Sequence, residues 1–99
     1  MRDLNLDART WKNADDFYDA FFKAVGAPEW HGRNFNALND SIAHGSINDI
    51  EVPYRIVIQN ILSTNDDLRR LLVDFTDFIQ ELAARGCPVE IKIDSSAIR

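Results

Sequence analysis

The chain is poor in the residues that make staples, metal cages and phosphate cradles. Of its 99 residues, one is cysteine, two are histidine, three are proline and four are glycine. A lone Cys87 excludes an intrachain disulfide. It stands between Gly86 and Pro88 ahead of an apolar strand and reads as a packed thiol, since nothing nearby in sequence would hold a thiolate. His31 and His44 do not form a His-x-x-x-His pair. With Asp40 they would make the only candidate ligand set, and no metal is expected. Gly32 and Gly45 are isolated, so no glycine-rich phosphate loop follows a strand. No nucleophile, base and orienting group can be assembled, so no catalytic residues are assigned, no cofactor is expected and the chain is read as a non-enzyme. Apolar runs fall well short of the roughly 20 residues that span a bilayer. Residues 1–5, Met-Arg-Asp-Leu-Asn, show no apolar run of the secretion-signal kind, and the cytoplasm is the expected location.

Positive charge is also scarce. Eleven Lys and Arg face sixteen Asp and Glu, a formal net charge of −5. That balance argues against nucleic acid or an anionic membrane as direct partner, because both require a basic surface. A basic protein suits it better, through complementary potentials. What the chain does have is 45% hydrophobic and 10% aromatic residues, enough for one core in a single domain over residues 1–99.

Leu4 and Leu6 alternate with polar residues in a short first strand, Arg2 to Asp7. Asn13 is placed to cap a helix whose stripe is Phe17, Ala20, Phe21 and Ala24, ended by Gly26 and Pro28. After an ordered loop, a second helix is expected from Asn34 to about His44, stopped by Gly45. Phe35, Leu38 and Ile42 form its core side; Asn36, Asp40 and His44 are spaced to share an exposed face. The run Tyr54 to Gln59 is apolar on both sides at its centre, as in an interior parallel strand. Thr64 with Asp67 resembles a capping arrangement for a long last helix striped by Leu68, Leu71, Leu72, Phe75, Phe78, Ile79 and Leu82. Glu81 can pair with Arg85 four residues on. Gly86 ends the helix, and Val89, Ile91 and Ile93 alternate with Glu90 and Lys92 in an edge strand. Strands separated by helices imply an α/β, two-layer fold: a three-stranded parallel sheet, order 1-2-3, with helices mainly on one face.

The stretch Pro28-Glu29-Trp30-His31-Gly32-Arg33-Asn34-Phe35-Asn36-Ala37-Leu38-Asn39-Asp40 resembles the barstar family, and Glu81-Leu82-Ala83-Ala84-Arg85-Gly86-Cys87 is similar to the family's last helix and its Gly-Cys exit. The resemblance covers nearly the whole chain. It implies an intracellular inhibitor, an immunity protein of the bacterial toxin–antitoxin kind, that covers the active site of a ribonuclease toxin as a monomer forming a 1:1 heterodimer. It assigns partner contact to Trp30, to the backbone near Asn34 and Phe35, to Asp40 as mimic of an RNA phosphate, and to Glu81. The type member carries an acidic residue at the position of Asn36, tryptophan at that of Asn39, and glycine then tryptophan at those of His44 and Gly45. These departures at the partner-binding positions imply a different nuclease target. A barstar-fold interaction or regulatory module without nuclease inhibition is the alternative, and a small hydrolase using His31 or His44 is a third.

Overall fold

The structure of the protein is a computed structural model that describes residues 1–27, 32–44 and 48–94, the side chains of His44, Ser63 and Asp94 aside. Its elements are strand β1 (Arg2–Asp7), helix α1 (Ala14–Val25), helix α2 (Phe35–Asn39), strand β2 (Tyr54–Gln59), helix α3 (Asp66–Ala84) and strand β3 (Val89–Asp94). All three strands run parallel in the order β1-β2-β3, the arrangement expected from their alternation with helices. Leu4, Ile56 and Ile91 align in one row, and Leu6, Ile58 and Ile93 in another. These rows face the helices, and their β1 and β2 members are buried.

The opposite face of the sheet is polar. Asp3, Arg55 and Glu90 share a row, as do Asn5, Val57 and Lys92. Arg55 Nε donates to Asp3 Oδ1 at 2.9 Å across the strands. Parallel sheets are usually covered on both faces; here the charged rows replace a second helical layer. Glu90 and Lys92 are exposed on β3, as an edge strand requires.

Helix α1 begins on a reciprocal capping box. Asn13 Oδ1 accepts from the Asp16 amide, and the Asp16 carboxylate accepts from the Asn13 and Lys12 amides. The buried side is broader than the expected stripe and takes in Tyr18, Phe22 and Val25. At its end Gly26 adopts φ +70°, and a Cβ there would lie 2.5 Å from Asp49 Oδ2. Gly26→Ala combines a left-handed backbone penalty with that clash and is expected to cost about 1–2 kcal/mol. A thermal melt should show a Tm several degrees lower, whereas an unchanged Tm would exclude this account.

Two expectations are corrected. Thr64 does not cap α3: its amide and hydroxyl both bond the Ile61 carbonyl, closing the 3-10 turn Ile61–Ser63. The cap is Asn65, whose Oδ1 accepts from the Leu68 amide at 2.9 Å. The second helix, moreover, is not α-helical to His44. Regular winding stops at Asn39, and Asp40–His44 form a wider π-helical turn. Asn36 and Asp40 are both exposed; the His44 side chain, expected on the same face, lies outside the described residues. The expected stop at Gly45 lies outside the described residues.

Aromatic rings join the helices over the sheet. Phe75 of α3 is fully buried, with centroids 4.8 Å from Phe17 and 6.0 Å from Phe21. Trp11, between β1 and α1, closes one end edge-on to Phe17 at 5.8 Å.

Candidate functional site

Helix α2 is short and owes its position to packing on one side. Its N-cap, Asn34, accepts the Ala37 amide on Oδ1 at 2.8 Å. Ala37, Leu38 and Ile42 are buried beneath it, and the half-buried Phe35 ring stacks on Phe78 of α3 at 5.2 Å. Just before it, Arg33 bonds the Asp15 carbonyl at 3.2 Å and pairs with Asp19, tying this segment to α1. Nothing in the local sequence pattern marked Arg33 for that anchor, since its partners lie on another helix.

With that side fixed, Asn36 and Asp40 are exposed on the other. Asp40 is the junction residue, where α-helical winding gives way to the π-turn. Ser41, next to it, points inward and is 1% exposed. Asn39 is half-buried and lines a groove of about 490 Å³ between α2 and the start of β3, with Ala43, Val52, Leu82, Arg85, Gly86, Cys87 and Pro88. The far wall belongs to the end of α3, where exposed Glu81 holds Arg85 in the expected i,i+4 ion pair. Asn39 and Arg85 thus line the same groove, while Asn36, Asp40 and Glu81 are exposed on the elements that carry them. Asn34 and Phe35 are engaged in capping and stacking, and their neighbouring backbone leads into this face. Trp30 and His31, and the side chain of His44, lie outside the described residues.

Chemically, this face presents exposed amide and carboxylate side chains. Cys87 is half-buried, its Sγ lies 3.9 Å from the Ile42 carbonyl, and burial pushes its thiol pKa up, opposite to what a nucleophile needs. Among the described residues no three His, Cys, Asp or Glu side chains gather as metal ligands. No described helix is long and apolar enough to cross a membrane. An exposed carboxylate on a helix backed by buried residues, beside a groove, can present negative charge to a cation at low ordering cost.

The architecture is a parallel three-stranded α/β sheet with one helical layer and exposed polar residues on its second helix. The chain belongs to the barstar family: the family model described as "Barstar (barnase inhibitor)" matches residues 1–94. It is also 27% identical over 81 residues to a Bacillus subtilis (strain 168) protein named "Putative ribonuclease inhibitor YrdF", covering 82% of this chain and 85% of that protein.

Proposed function

We propose that this chain inhibits a ribonuclease, is not itself an enzyme, and acts by setting the α2 face against the nuclease's catalytic site. The observation that carries the proposal is the placement of Asp40: exposed, at the end of a helix whose opposite side is buried. A ribonuclease must line its site with cations to stabilise phosphate charge. A carboxylate held on a packed helix can stand where an RNA phosphate would, with Glu81 of α3 as a second, weaker contact. Family membership and the relative's name both support a ribonuclease partner. The net charge of −5 favours a basic one. The biological setting we propose is cytoplasmic immunity against a ribonuclease toxin of the same species, through a 1:1 complex.

The test is RNA hydrolysis by a panel of small basic ribonucleases, barnase among them, with and without the purified protein. Stoichiometric inhibition of at least one, with association slowed by salt, is expected. Failure to bind any would reject the proposal.

A second reading, an interaction module without nuclease inhibition, draws on one feature of the same face. Asn36 and Asn39 are uncharged and Arg85 pairs with Glu81, so the face carries few carboxylates. Capture of a partner lacking RNA-cleaving activity would favour it.

A further inference from the structure

We infer that Asn48 is a positioning residue for Asp40: its side chain clasps the π-turn on which that carboxylate stands. The inference rests on the role of Asp40 proposed above. A single π-turn at a helix end is an uncommon geometry and persists only where its surroundings hold it. Here the hold falls on the neighbouring residue. Asn48 Nδ2 donates to the Ser41 carbonyl at 3.1 Å and also contacts the Ser41 hydroxyl. A carbonyl oxygen can only accept, which fixes the amide orientation. Asn48 is itself anchored, because its backbone N–H donates to Glu51 Oε2 at 2.8 Å. The resulting chain, Glu51 to Asn48 to Ser41, joins the segment before β2 to the residue adjoining Asp40. Ser41 and Ile42 are buried, with 1% and 0% exposure. A swing of Asp40 would therefore break a bonded and packed anchor directly beside it.

Sequence separation hides this clasp. Asn48 follows the turn by four residues, and its spacing to Glu51 resembles a capping box that points forward along the chain, not back to Ser41. Its value to the proposed contact would lie in preorganisation: a carboxylate already aimed loses less freedom on binding.

The experiment uses the full chain carrying Asn48→Ala, with Ser41→Ala as a milder variant because it keeps the carbonyl acceptor. In the free protein, amide exchange at residues 41–44 is expected to speed up roughly tenfold in Asn48→Ala, with α3 protection unchanged. Unchanged exchange in the turn, or equal acceleration throughout α3, would overturn the clasp. The second readout crosses Asn48→Ala with Asp40→Ala against a panel ribonuclease that the wild-type chain inhibits. Affinity should fall roughly tenfold in the native background and by no more than about twofold when Asp40 is already absent. Equal losses in both backgrounds would mean that Asn48 does not act through Asp40. If the wild-type chain inhibits no ribonuclease, the proposed function fails, while the exchange measurement still decides whether Asn48 holds the turn.

Discussion

Asp40→Ala is expected to weaken ribonuclease binding by about 2–4 kcal/mol, roughly 30- to 1,000-fold in Kd, while leaving the melting temperature near that of the parent. Two physical facts separate these outcomes. The side chain is exposed, so its removal opens no cavity in the core. In the proposed complex, however, it would be desolvated against cations, and truncation would strand those cations without their counter-charge. Asp40→Asn sharpens the test by retaining shape and removing charge. It should flatten the salt dependence of association as well as lowering affinity. An Asp40→Ala protein that binds as tightly as the parent would move the site elsewhere; one that binds weakly only because it melts early would assign Asp40 to the fold. Isothermal titration beside a thermal melt tells these apart.

The largest effect on folding is expected from Phe75→Ala. The ring is fully buried and touches Phe17, Phe21 and Phe78, so it joins α1, α3 and the layer behind α2. Phenylalanine-to-alanine truncations in cores cost about 3–5 kcal/mol. Domains of this size have only about 5–15 kcal/mol in hand. Urea unfolding should show a midpoint lowered by a large fraction of its parental value, with partly unfolded protein even without denaturant. A midpoint shift equivalent to less than about 1 kcal/mol would mean that the three-helix ring cluster is not the centre of the core.

The sheet and the two long helices were legible because their signals are periodic and local. Leu68 through Leu82 recur at helical spacing, and Ile56-Val57-Ile58 is apolar on both sides, so α3 and the central strand follow from residues a few positions apart. The parallel pairing followed from the helical segments between the strands, and their order from the apolar middle strand. Where sequence reasoning missed, the deciding partner was distant or the competing residue adjacent. Thr64 and Asn65 are both good caps, and the choice between them turned on the 3-10 turn at Ile61, which no hydrophobic period announces. Trp11 belongs to no periodic segment, yet it is buried against Phe17. At the site, the exposure of Asp40 was legible from helical spacing. The π-turn was not, because it depends on Ser41 being drawn inward by Asn48. Arg33 was unassigned for the same reason, its carboxylate partner lying on α1.

The parallel register has a consequence for how the protein comes into being. Every pairing of β1 is with β2, and the Asp3–Arg55 link spans 52 positions along the chain. Central β2 then needs β3, whose first residue, Val89, is itself 1% exposed in the core. No strand can pair with its immediate successor through a tight hairpin, so each must wait for a helical crossover to be made. On the ribosome, synthesis and assembly therefore run out of step: β1 emerges first but has no partner until more than half the chain has followed, and the sheet closes only with its last strand. Aromatic α1 must spend that interval without its sheet. A protein built this way is all-or-none in time as well as in space: the finished sheet exists only once β3 has paired with β2.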